Sequence, residues 1–275
     1  IIVYGGRMYV VVSASHTIEV FEQSTAKWVG RLRLSSDEEP YRLCIANDTT
    51  AYCTNLTDDT ITEFNPQTLT IRVARVPVGP APEGIASNGR NLFVANSGYG
   101  DLRASEPLAG TLSVLSVTDL SVVASIDSLP NAATVRCDAP RKRVWVSYRN
   151  LVSKPELLGG VALIDASTFK ILKRWSFKSP HGLTIDSVTG NAIILHQEGV
   201  DEIVHDVPTT RRIISHRSAG GNDVWYGLGF DGAKRIVWVG NARSYVTDGE
   251  CIAIRLDGTV VGRYAVGANP TAFAF

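Results

Sequence analysis

A short segment returns six times along the chain, and this recurrence limits the fold more than any other feature. It stands at Pro40-Tyr41-Arg42-Leu43, Pro82-Glu83-Gly84-Ile85, Asn131-Ala132-Ala133-Thr134, Pro180-His181-Gly182-Leu183, Trp225-Tyr226-Gly227-Leu228 and Pro270-Thr271-Ala272-Phe273. The spacing of about 42 to 49 residues is the length of one blade of a β-propeller. A β-rich run follows each copy, as in Leu92-Phe93-Val94-Ala95 and Val144-Trp145-Val146-Ser147, and reads as a second strand. Third strands follow at Thr111-Leu112-Ser113-Val114-Leu115 and residues 160–165; a polar turn such as Asp165-Ala166-Ser167-Thr168 then leads to a fourth. Four short strands per unit predict an all-β, six-bladed β-propeller with four-stranded antiparallel blades.

The first strands alternate large and small residues, with Leu183 and Ile185 against Gly182 and Thr184, and Phe273 and Phe275 against Ala272 and Ala274. With a period of two, the large set shares one face, so each blade can place bulk in its neighbour's hollow. Arg136 and Asp138 break this pattern in the fourth unit, and nothing in the sequence accounts for them.

Six first strands but only five uninterrupted units predict a last blade that joins both chain ends. Residues 270–275 would supply its inner strand and residues 1–39 the rest; the other blades run over 40–81, 82–130, 131–179, 180–224 and 225–269 in one domain. Closure of this kind removes the exposed edge strand. Ile1-Ile2-Val3 also reads as the end of an inner strand, which leaves a longer propeller with blades missing as the other arrangement.

Lys plus Arg and Asp plus Glu number 27 each, so no global field draws the chain to nucleic acid or to an anionic membrane. No run approaches the roughly 20 apolar residues of a membrane span, so no membrane insertion is expected. The chain opens at Ile1 rather than Met, and removal of an export signal stays open. The four cysteines lack zinc or redox spacing. A two-residue turn at Asp48-Thr49 would set Cys44 opposite Cys53, where a disulfide is sterically possible. Asn47-Asp48-Thr49 and Asn55-Leu56-Thr57 match the glycosylation sequon, a short pattern that arises often by chance.

In a propeller, the connectors from fourth to first strand and from second to third emerge on one face. The long connectors 97–110, 149–159 and 241–249 open there, and loops of that length are often functional. Aligned repeats place Tyr41, Glu83, Ala132, His181, Tyr226 and Thr271 at the mouth of the central channel. A second ring takes Val12, Asn55, Asn96, Tyr148, His196 and Asn241, with Arg149 beside it. Convergent polar groups in a concavity suit a small ligand, and exposed Tyr and Arg suit a protein or glycan. The same groups could instead only brace connectors and channel water.

Local signatures of chemistry are weak. Gly227-Leu228-Gly229-Phe230-Asp231-Gly232 matches a dinucleotide fingerprint literally, but residues 234–239 read as a strand where the fingerprint needs a helix. The dispersed alternative is a lyase or hydrolase site built from His181, Glu83 and His196, with Glu198 near and a metal as possible aid. Asp37-Glu38-Glu39 reads as a solvated acidic loop. The expectation is a binding module without cofactor or metal.

Residues 78–85, 92–97 and 110–115, repeated at 160–165 and 180–186, resemble the YVTN/YncE-like surface-layer repeat family. The resemblance spans nearly the whole chain, with a poor fit over residues 201–217. It implies a propeller, usually of seven blades, that is exported to the periplasm, cell surface or medium. It implies a habit of binding a protein, glycan or small molecule, and no reaction.

Overall fold

The computed structural model describes residues 1–216 and 224–275. Arg217, which ends the poorly fitting stretch, lies outside the described residues. The first blade holds β1 (Ile2–Tyr4), β2 (Arg7–Val12), β3 (Thr17–Glu22) and β4 (Trp28–Arg33). The second holds β5 (Pro40–Asn47), β6 (Thr50–Asn55), β7 (Thr60–Asn65) and β8 (Thr70–Pro77). In the third are β9 (Pro82–Ser87), β10 (Asn91–Asn96), β11 (Thr111–Ser116) and β12 (Val122–Ile126). The fourth has β13 (Ala132–Asp138), β14 (Arg143–Tyr148), β15 (Gly159–Asp165) and β16 (Ile171–Phe177). The fifth has β17 (Gly182–Ile185), β18 (Ala192–His196), β19 (Gly199–Ile203) and β20 (Thr210–Ser215). β21 (Trp225–Asp231), β22 (Ile236–Asn241), β23 (Asp248–Arg255) and β24 (Val260–Ala268) complete the sixth. Every sheet is a four-stranded antiparallel meander in chain order, so the molecule is a six-bladed β-propeller. Among the described residues, no helix is long and apolar enough to cross a membrane.

Five of the joints between blades are apolar layers made by two facing sheets. Tyr9, Ile18 and Val20 meet Phe64 and Cys53; Tyr52 and Ile61 meet Leu92 and Val94. Phe93 and Leu112 meet Val144 and Ile164; Trp145 and Trp175 meet Ile194 and Ile203; Leu195 and Ile213 meet Val237 and Ile252. Small residues admit the next blade closely: a Cβ on Gly84 would lie 2.3 Å from the Ala133 carbonyl oxygen, and one on Gly182 2.8 Å from the Leu228 Cβ.

The joint between the sixth and first blades is different. The inner strand of the first blade is β1, paired with β2, and residues 270–275 form no ladder strand. The expected sharing of one sheet by the two chain ends is therefore corrected. Residues 270–275 instead pack on β21, where a Cβ on Gly227 would lie 2.6 Å from the Pro270 carbonyl oxygen and one on Gly229 2.5 Å from the Phe273 Cβ. This is the place that β13 takes on Gly84. The entry is also alike: Asn269, with φ 53°, precedes Pro270 as Ala81 precedes Pro82 and Ser179 precedes Pro180, both with positive φ. Phe273 and Phe275 stack beside Trp238, yet Phe275 stays 52% exposed. On the facing sheet, Met8, Phe21 and Trp28 form a cross-strand row, and Trp28 is 56% exposed. Among the described residues, this joint has no buried apolar layer comparable to the other five.

Two local expectations also change. Asn47 pairs with Thr50 as anticipated, but a bulge between Ile45 and Asn47 shifts the register, so Leu43 faces Cys53 and Cys44 faces Tyr52. One residue of slip turns a side chain to the other face of the sheet. Cys44 and Cys53 consequently point into different joints, and both are free thiols. In the acidic run, Glu38 is 1% exposed rather than solvated, and it accepts hydrogen bonds from the Ser35 N–H, Asn55 Nδ2 and Thr62 Oγ1.

Candidate channel-mouth site

The inner strands lie with one edge toward the axis and line a cavity of 980 Å³. At its mouth stand Tyr41 on β5, Arg149 just beyond β14, His181 just before β17, Tyr226 on β21, and Thr271. The first alignment ring is thus brought together, apart from Ala132 and Glu83, which do not touch the cavity. Glu83 reaches the mouth through its partner: Arg149 Nη1 and Nη2 donate to Glu83 Oε1 and Oε2 at 2.9 and 2.5 Å. This bidentate pair ties the third blade to the fourth, the geometry in which Arg and carboxylate bind best. Burial penalises the Arg149 cation, but the Glu83 charge more than offsets this and lifts its pKa above the ordinary value. Burial also raises the Tyr41 pKa, and the Glu83 charge adds to the rise.

An aromatic ledge faces this pair. The His181 and Tyr226 rings are 6.0 Å apart, and Tyr245, from the connector after β22, meets Tyr226 edge-on at 5.9 Å. Tyr226 and Tyr245 are 41% and 46% exposed. Burial lowers the His181 pKa, and the nearby Arg149 charge lowers it further, so this imidazole is neutral near pH 7.

The second ring does not reach the cavity. Asn55, Asn96 and Asn241 are fully buried at the ends of second strands. Asn55 Nδ2 donates to Thr60 and Thr62, Asn96 Nδ2 to Thr111 and Ser113, and Asn241 Nδ2 to Glu250, so each amide braces its third strand. A period-two pattern gives spacing along a strand, and the inward pull of these partners is invisible to it. Burial also removes Asn55 as a glycan acceptor. Tyr148 is 6% exposed and packs under Arg174. His196 lies with its ring tilted against Phe177 and its Nε2 3.6 Å from Asp201, and it lines a neighbouring pocket of 770 Å³ together with His181 and Glu198. His181 and His196 thus share a pocket wall with Glu198, whereas Glu83 is held apart from them by its pair with Arg149. Among the described residues, no three His, Cys, Asp or Glu side chains are placed to share a metal ion. The Gly227 to Gly232 stretch is strand and turn, with no helix to receive a pyrophosphate.

Long connectors flank the mouth and are tied to one another. Asp101 accepts from the Val152 and Ser153 N–H groups at 2.6 and 2.9 Å, joining the connectors of the third and fourth blades. Arg103 donates to both Asp59 oxygens, at 2.8 and 2.6 Å, and so links the second and third blades. Sequence reasoning missed both ties and the Glu83–Arg149 pair, whose members are far apart in sequence. It also missed two cations deeper in the channel, Arg42 and Arg136, although the break in alternation at Arg136 was the available signal.

Fold and mouth together define a propeller with a ligand-sized axial cavity. The comparisons agree on the fold. The chain resembles hydrazine synthase of Kuenenia stuttgartiensis at a TM-score of 0.72 and 14% identity, over 98% of this chain and 86% of that one. A chain of a nidogen/laminin complex matches at 0.65 and 13%, over 98% and 97%. A protein of unknown function from Desulfotomaculum acetoxidans DSM 771 matches at 0.69 and 12%, over 94% and 80%. No protein-family model matches the chain, and no curated protein sequence does. Identities this low speak to the fold alone.

Proposed function

We propose that the chain is a non-enzymatic binding propeller, of the YVTN/YncE-like kind, that takes a ligand or partner at the channel mouth. The observation that carries this reading is the half-exposed ledge of His181, Tyr226 and Tyr245 opposite the Glu83–Arg149 pair, at the opening of a 980 Å³ cavity. Aromatic rings supply apolar area with little entropy to lose, and a fixed ion pair supplies orientation. A small molecule or a glycan residue fits such a cavity, and the connectors around it extend the surface for a protein partner. The family resemblance supports an exported or cell-surface setting.

A hydrolase or lyase site built on Glu83 and His181 is less well supported. Glu83 is committed to Arg149, and no carboxylate lies within ion-pair distance of His181 among the described residues. A thermal-shift screen of small metabolites together with a glycan array tests the reading. The expected result is a ligand whose binding falls at least about tenfold in Tyr226→Ala and Arg149→Gln, the scale of a lost aromatic or charged contact. Substrate turnover lost in His181→Ala would overturn it.

A further inference from the structure

Arg136, the residue that broke the alternation of the first strands, extends from β13 into the channel. Among the described residues, the only hydrogen bond of its guanidinium is from Nη1 to the Val135 carbonyl oxygen at 2.9 Å, and no acid pairs with it. Arg42, from β5, lines the same cavity, also without an acidic partner, its guanidinium 5.1 Å above the Tyr41 ring. The blade between them presents Gly84 and Ala86 to the cavity, which leaves room for both long side chains. The other ionised groups do not balance them. Among the described residues, Arg149 is neutralised by Glu83, Lys234 lies 3.4 Å from Asp231, and no other Asp or Glu side chain lines the cavity. A chain of zero net charge thus carries two unpaired guanidiniums inside one concavity.

Two like charges on the wall of one concavity oppose each other, and no described acidic side chain supplies a counter-charge. Arg136 keeps solvent-exposed surface, but the channel walls around it and the Arg42 charge push its pKa down to about 10, and the group stays cationic at neutral pH. A guanidinium presents a planar fork of donors that matches the oxygens of carboxylate or phosphate, and a low-dielectric cleft concentrates anions of that kind.

We propose that Arg42 and Arg136 form an anion site on the channel wall that takes the carboxylate or phosphate group of a small ligand. The site gives the ligand of the mouth a charge, and it rests on the mouth reading only for the route of entry. An anion held there completes the hydrogen bonding of both forks and cancels their mutual repulsion.

Calorimetric titration with inorganic phosphate and, separately, with succinate, at ionic strength fixed by sodium chloride, tests the site and tells the two ligand chemistries apart. Saturable binding of either anion, weakened roughly tenfold or more in each of Arg42→Gln and Arg136→Gln and unchanged in the exposed control Arg90→Gln, is the expected result. Tyr226→Ala should keep the anion, because that change touches the ledge and not the wall. If an arginine variant fails to fold, the wild-type protein serves as its own reporter: saturating anion at fixed ionic strength should raise its melting temperature, and no rise would count against the site. Absence of binding by both anions, or binding indifferent to both arginines, overturns the proposal and leaves the mouth reading standing. Binding lost only in Tyr226→Ala would move the anion to the mouth and likewise overturn the wall site.

Discussion

Asp201 shows what a single buried charge does in this scaffold. It is 4% exposed, it bonds Arg212, and His196 stands 3.6 Å away. Burial alone would raise its pKa, but the His196 and Arg212 contacts outweigh burial and hold it below the ordinary 3.8. A depressed carboxylate pKa stabilises the fold fully above the unfolded value and loses that stabilisation as pH falls through the folded one. Asp201→Asn should therefore cost about 1.5–3 kcal/mol near neutral pH, the range for hydrogen bonds to charged groups. Melting temperatures taken from pH 6 downward should converge for the two proteins below about pH 3.8. Parallel curves would mean that the pair carries no linked stability. Glu38 illustrates the limit of reading single residues. A carboxylate within Asp37-Glu38-Glu39 looks solvated until the folded chain brings Asn55 and Thr62 to it.

At the scale of elements, the hydrophobic period and the polar turns were legible, and the left-handed residue inside the turns was not. Every second strand anticipated from the repeat lies within an observed strand, because alternating apolar runs between turn residues specify strands directly. The third-to-fourth turns hold a device that the pattern does not reveal. Leu69, Leu120 and Phe169 each adopt a positive φ, donate their N–H four residues back, and fold over the outer end of a joint. Asn65 and Asp165 side chains accept the intervening N–H groups and fix the turn. A left-handed conformation costs an L residue about 1–2 kcal/mol, whereas full burial of Leu is worth about 1.5–3 kcal/mol. Burial therefore wins at Leu120, and Leu120→Gly should destabilise by about 1 kcal/mol or more. The equivalent turn of the first blade has Ala26, also at positive φ but exposed. Ala26→Gly should be neutral or stabilising, since it relieves strain and removes no plug. Urea unfolding of the two variants checks the contrast, and equal effects would contradict it. The Cys44 and Cys53 register escaped sequence reading for a related reason: one bulge residue at Ala46 rotates the strand, and bulges leave no compositional mark.

At the scale of the molecule, the ring is held by five apolar layers, and the sixth joint is lined by aromatic residues that stay partly open. Residues 270–275 lie where an inner strand would lie and bring Phe273 and Phe275 to Trp238, but no further strands of the described chain cover them. The repeat made the blades countable, while closure depends on contacts between the most distant parts of the chain, which no local pattern records. This architecture also frames the proposed function. The inner edges of all six blades turn toward one cavity, and departures from the repeat, such as Arg149, His181 and Arg136, give that cavity its chemistry. Hydrogen exchange of the second-strand amides, measured blade by blade, tests the arrangement most directly. Strands β6, β10, β14 and β18, covered on both faces, should exchange far more slowly than β2 and β22, which border the open joint. Uniform protection around all six blades would contradict the account.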